Sequence, residues 1–300
     1  MRIAVSVLAP VLLAGAAWAA PTAGGPHVPG APGCSVFPPD NAFNRRVDRL
    51  PVAADSARLI ATIGAGTGLH PDFGSVAGIP YAVVGRRTRR SRVSFDYAAE
   101  SDRGPYPIPA RPPIEAGSDH HLLLVDRDAC RLYELFAARR TPTGWHAGSG
   151  AIWSLRSNRL RPRGWTSADA AGLPILAGLA RYGEVHSGVI NHALRFTVAA
   201  TQSGYILPAT HSASSSTDKT LPVMGLRLRL NANYDLSRFH GQALVILKAL
   251  KQYGMMVADN GSSWFITGAA DPRWNDEDLN QLKTVPGIAF EAVKTGPIHH

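Results

Sequence analysis

The stretch "HLLLVDRDACRLYELFAA", residues 121–138, sets two apolar runs around a short polar turn, and the same rhythm recurs along most of the chain. "IPYAVV", "VSFDY", "SGAIWSL", "VINHALRFTV", "GYILPAT" and "MGLRLRL" each predict a strand, because short apolar or alternating runs lie between turn residues. Helical spacing is rarer. It occurs in "ADSARLIATIG" before Gly64, and in "DLSRFHGQALVILKALKQYG", where Phe239, Ala243, Ile246, Leu247, Leu250 and Tyr253 repeat at three- and four-residue steps before Gly254. Short helices are expected in "TSADAAGLPILAGLARYGEV", which opens on a Thr/Ser cap, and in "NDEDLNQLKTV". "MMVADNGSSWFIT" reads as two strands about an Asp-Asn-Gly turn. The expected class is mainly β (sandwich, jelly-roll or barrel-like) with one packed C-terminal helix and short helices.

The first residues carry one Arg, an apolar run from Ile3 to Ala17, and small residues flanking Trp18. That pattern predicts a signal peptide over 1–19, a flexible leader over 20–33 and a single β-rich extracytoplasmic domain over 34–295. Pro10 interrupts the run, which is shorter than the ~20 apolar residues a bilayer span needs, so no membrane anchor is expected after cleavage. Location outside the cytoplasm, in the periplasm, at the cell surface or secreted, makes the cysteine count readable. Cys34 and Cys130 are the two cysteines, and in an oxidising compartment they predict one disulfide.

Composition changes the picture in two ways. With 45% hydrophobic and 18% charged residues the chain can bury a core, which excludes intrinsic disorder. The formal net charge of +9 is concentrated in part in "RRTRRSR", Arg86 to Arg92, expected at the tip of a hairpin between "IPYAVVG" and "VSFDYAAE". A solvated turn accounts for it, and an anion-docking patch for a cell-envelope polymer or acidic polysaccharide is the sharper alternative. No specific nucleic-acid binding is expected, because no aromatic residue is interleaved with these arginines.

Glu134 lies deep in the second strand of the opening stretch. A four-residue or two-residue turn puts His121 on its face of the sheet, and a three-residue turn puts His120 there. A carboxylate buried beside Tyr133, Leu135 and Phe136 has its charged form disfavoured, the property of a tunable acid or base. Asp102, after Glu100 in "AAESDRGPYPIP", and Asp169, in the first turn of an expected helix, are candidates for a second carboxylate, since glycoside hydrolysis divides acid and base roles between two. Trp153 and Trp165 offer faces for sugar rings, and His192, Arg195 and His211 are candidate substrate-binding residues. No cofactor is predicted. A divalent metal is an option through His120 or His121 with Glu134, His192 and His211, although no metal-binding spacing occurs.

The strings "GSGAIWSLRSNRLRPRGWTSADAAGLPIL", "NHALRFTV", "MGLRLRL" and "ALKQYGMMVADNGSSWFITGAADPRW" resemble a family of exported bacterial proteins without an assigned activity. The likeness runs from "CSVFPPDNAFN" to "FEAV" and implies a single extracytoplasmic domain; it brings no catalytic residues. The sequence therefore predicts a secreted carbohydrate-active enzyme, a glycoside hydrolase or polysaccharide lyase acting on a cell-wall or environmental polysaccharide. The alternatives are a non-catalytic glycan- or cell-envelope-binding domain and a metal-dependent hydrolase.

Overall fold

The computed structural model describes residues 26–300, so the expected signal peptide and residues 20–25 of the leader lie outside the described residues. In chain order the strands of the two main sheets are β1 (His70–Asp72), β2 (Tyr81–Val84), β3 (Leu122–Asp126), β4 (Arg131–Phe136), β5 (Ser149–Ser154), β6 (Leu194–Val198), β7 (Arg227–Leu230), β8 (Met255–Asn260), β9 (Phe265–Thr267) and β10 (Phe290–Val293). The helices are α1 (Ser56–Gly64), α2 (Ile175–Gly178), α3 (Tyr182–His186), α4 (Gly241–Gln252) and α5 (Asp276–Asn280). Strand outweighs helix, 29% against 16%, and the fold is mainly β.

One sheet has the order β5-β4-β3-β2 and the other β10-β7-β8-β6-β9-β1; smaller two- and three-stranded sheets edge them. Both are mixed. β2 runs parallel to β3, and β6 parallel to β8, where a jelly roll would be antiparallel throughout. Leu123, Val125, Leu132 and Trp153 on one face of the smaller sheet join the main core, together with Phe196, Leu228 and Met255 of the larger sheet. The opposite face, with Leu122, Leu124, Tyr133 and Leu135, packs a second core against Tyr106 and Val93. Burial on both faces explains why β3 reads as a continuous apolar run rather than an alternation.

The two longer helices form where the spacing places them. α1 buries Leu59, Ile60 and Ile63, and α4 buries Ala243, Ile246, Leu247 and Leu250. α4 starts only at Gly241, because Asp235 folds back onto the Ser237 N–H and hydroxyl in a turn. Gly254 ends it at φ +66°, where a Cβ would lie 2.1 Å from the Leu228 carbonyl oxygen.

Three expectations are corrected. "MMVADNGSSWFIT" forms the two expected strands, but they do not pair as a hairpin: β6 lies between β8 and β9, bonded to both, and the connection carries the chain over it. Trp264 in that connection is fully buried and donates its indole N–H to the Gly64 carbonyl, a packing role that leaves nothing for a ligand. "RRTRRSR" is not the tip of a hairpin either, since β2 pairs with β3 and Arg90–Ser91 pairs with Tyr106–Pro107. Arg90 turns inward to Asp126 at 2.6 Å and to the Tyr133 hydroxyl at 2.8 Å. The described part of the leader is folded: His27–Val28 pairs with Ala31–Ser35, and Val28 and Ala31 are buried in the main core. Cys34 at the end of this hairpin is bonded to Cys130 in the β3–β4 turn, as expected.

Candidate functional site

Register decides first where Glu134 points. Asp126 faces Arg131 across a four-residue turn, so Glu134 lies opposite Leu123 and His121 is its companion on that face. The face is the one that meets the main core. Glu134 is 0% exposed, and its carboxylate accepts the Ile175 and Leu176 backbone N–H groups at 2.9 and 2.8 Å. These are N–H groups that the first turn of α2 cannot satisfy itself, and Pro174 before it brings no side-chain cap. Glu134 is thus a cap supplied from a distant strand.

The remaining sequence candidates divide. His121 is buried and bonded through Nδ1 to Glu115 at 2.6 Å and through Nε2 to the Ala168 carbonyl oxygen at 3.1 Å. Asp169 is not in a helix. It closes a turn onto the Ala171 N–H and pairs with the buried Arg195 guanidinium at 3.0 Å, which also donates to Thr267. His192 belongs to another buried set, with Arg181 and Glu184. His211 holds the Ala170 carbonyl oxygen. These side chains support the interior, and none lines the two cavities described below. Among the described residues no group of three or more His, Cys, Asp or Glu is placed to hold a metal ion, so the histidines and Glu134 do not make the metal set considered from the sequence.

Burial pushes the Glu134 carboxyl up to about 7 against the pull of its two backbone donors, and pushes Asp169 up to about 7 against the pull of Arg195. Both groups hold their protons more tightly folded than unfolded. Their contribution to stability is therefore fully present below the unfolded carboxylate range near pH 4 and is lost as pH rises towards 7. Asp72 and Asp259, also raised by burial, act in the same sense. Glu115 and Glu184, held below the usual range by His121 and by Arg181 with His192, lose their contribution only in more acid solution. Thermal melts should therefore show a higher melting temperature at pH 5.5 than at pH 8; a profile that rises over this window would contradict the assignment.

Asp102, Trp153 and Trp165 are brought together. They line a surface cavity of about 620 Å³ with Arg161, Arg103 and Arg159. Arg161 organises it. Its Nη1 donates to Asp102 at 2.5 Å, its Nη2 to the Glu100 carbonyl and its Nε to the Thr166 carbonyl. Its guanidinium carbon lies 5.5 Å from the Trp153 ring and 5.6 Å from the Trp165 ring, within cation–π range of both. Asp102 is fixed further by the Ile152 N–H at 2.9 Å. Trp153 is nearly buried and Trp165 half-buried, so Trp165 presents the more open face. Glu100 is turned away to the Thr166 N–H, which leaves Asp102 as the one carboxylate lining the cavity among the described residues.

The arginines of this cavity are not among the candidates that residue type alone singles out, although a sequence signal for them is present. "WSLRSNRLRPRGW" places Arg156, Arg159, Arg161 and Arg163 between the two tryptophans that flank the cavity. Comparisons with family models, with curated proteins and with solved structures find no match to this chain.

Proposed function

We propose that the protein is an extracytoplasmic, non-catalytic glycan-binding domain whose binding site is the Trp153–Trp165 cavity. The observation that carries this reading is the convergence of a half-buried Trp165 ring, a fixed Asp102 acceptor and several guanidinium donors on one cavity. Aromatic faces take the apolar side of a sugar ring, and the polar groups around them take hydroxyls. A location outside the cytoplasm is supported by the Cys34–Cys130 disulfide. Among the described residues no helix is long and apolar enough to cross a membrane.

Two observations turn the reading away from hydrolysis. Glycosidases of both stereochemical types place two carboxyl groups about 5 to 10 Å apart across the bond, whereas among the described residues this cavity is lined by one. Glu134, the expected acid, has both oxygens committed inside the core.

The test is a polysaccharide panel followed by tryptophan fluorescence and by reducing-end release. The intact protein should bind one class of polymer without releasing product, and Trp165→Ala should weaken that binding about tenfold, the loss of one aromatic contact. Product release by the intact protein that disappears in Asp102→Asn would replace the binding reading with the hydrolase. No binding to any polymer would remove both.

A further inference from the structure

The cavity beside Trp165 has a neighbour. Leu160 lines it and also lines a second cavity of about 370 Å³, bounded by Arg45, Arg46, Arg227 and Lys294. A narrow recess lined by Asn41, Asn158 and Arg159 lies between the two. The loop 157–162 thus forms a wall shared by the two cavities, which marks a path from one to the other.

Charge along that path is one-sided. In the first cavity Arg103, Arg131 and Arg159 are exposed, and none makes an ion pair among the described residues; Arg161 alone is matched, by Asp102. In the second, Arg46 is matched by Asp48 at 2.6 Å, while Arg45 and Lys294 are exposed and have no carboxylate partner among the described residues. Asp40 is the acidic residue in that lining, and its Oδ1 accepts the Asn158 amide at 2.8 Å. Arg227 is more unusual. It is 3% exposed, and all its hydrogen bonds go to main-chain carbonyls: Tyr253 from Nε and Nη2, Ala42 from Nη1 and Arg45 from Nη2. Carbonyl dipoles orient a guanidinium without neutralising it. Burial, with Arg45 nearby, brings its pKa down to about 9. A cation held in the floor of a cavity without a counter-charge favours an anion above it.

We infer that the ligand is an acidic polysaccharide, with anionic groups at intervals, that runs from the Trp165 cavity past Leu160 into the cavity of Arg45, Arg227 and Lys294. The inference rests on the glycan reading above. Guanidinium groups suit it, because their fork of donors matches carboxylate, sulfate and phosphate oxygens. Single-stranded nucleic acid fits less well: successive bases require successive aromatic platforms, and among the described residues no aromatic side chain lines the second cavity.

The experiment measures binding of polygalacturonate, heparin, neutral dextran and oligo-dT to the intact chain and to Arg45→Ala/Lys294→Ala. Among the described residues neither of the two replaced side chains makes a hydrogen bond or ion pair, and equal melting temperatures check that the fold is undisturbed. Polygalacturonate or heparin should bind more tightly than dextran and oligo-dT, and more weakly as salt is raised. The double variant should lose about tenfold in affinity for the acidic polymer, equivalent to ~1.4 kcal/mol, while digalacturonate binding at the Trp165 cavity is unchanged. Unchanged polymer affinity in the variant, or dextran bound as tightly as the acidic polymers, would overturn the inference and leave the glycan reading standing. Tighter binding of oligo-dT would overturn it in favour of nucleic acid. Binding of no glycan would overturn both readings.

Discussion

Glu134→Gln should lower the melting temperature by several degrees and leave polymer binding at the Trp165 cavity unchanged. The carboxylate gives one oxygen each to the Ile175 and Leu176 N–H groups. An amide keeps one acceptor and turns an NH₂ group towards the other N–H, so one buried donor loses its partner and a second is introduced. Each such loss costs about 1–3 kcal/mol, and for a domain of this size ~1 kcal/mol corresponds to roughly 2–4 °C. Glu134→Ala should cost more, since it removes both acceptors and opens a cavity at the start of α2. Differential scanning calorimetry measures the shift. The pH dependence should flatten in the same variants, because one of the raised carboxyls is gone. An unaltered melting curve combined with lost ligand binding or lost activity would return Glu134 to a functional role.

Removing the disulfide with Cys34→Ser/Cys130→Ser should be the larger loss. The bond joins residues 96 apart in sequence, and closing a loop of that length is worth up to about 4–5 kcal/mol in the chain-entropy picture. Its second effect is local. Cys34 ends the hairpin that lays Val28 and Ala31 on the main core, so the variant should be cut by protease between residues 26 and 37 well before the intact chain. Thermal unfolding of the intact protein in reductant should approach that of the variant. Coincident melts with and without reductant, at a temperature the variant shares, would show that the bond adds nothing.

Much of the fold was legible because periodicity reports burial. The spacing in α1 and α4, the turn at the β3–β4 hairpin and the pairing of the two cysteines each depend on short-range pattern or on a count. The sequence also narrows the companion of Glu134 to one of two histidines, and the four-residue turn selects His121. Periodicity does not report partners. Nothing within residues 255–267 says that β6 will enter between β8 and β9, because the pairing belongs to a strand some sixty residues earlier in the chain.

The candidate site was legible only in part for the same reason. A glutamate in an apolar strand looks alike whether it meets a substrate or the N–H groups of a helix forty residues on. Asp102, Trp153 and Trp165 are legible as residue types suited to sugars, but the guanidinium that joins them is not, since Arg161 is placed by Asp102 and the Glu100 carbonyl from far earlier in the chain as well as by the nearby Thr166 carbonyl. Arg195 and His192, close in sequence, both read there as candidate substrate-binding residues. The structure separates them into different buried sets, one with Asp169 and one with Glu184.

Arg227 is one of two neighbouring guanidiniums of β7 that reach the chain at 42–50; Arg229 donates to the Val47 and Leu50 carbonyls while pairing with Glu291. Both clasp the polypeptide by its peptide oxygens, which every amino acid carries. Mutation can therefore rewrite the exposed positions 45, 46 and 49 without loosening that clasp. The border of the second cavity is a surface whose chemistry can drift towards new polymers while its shape stays put.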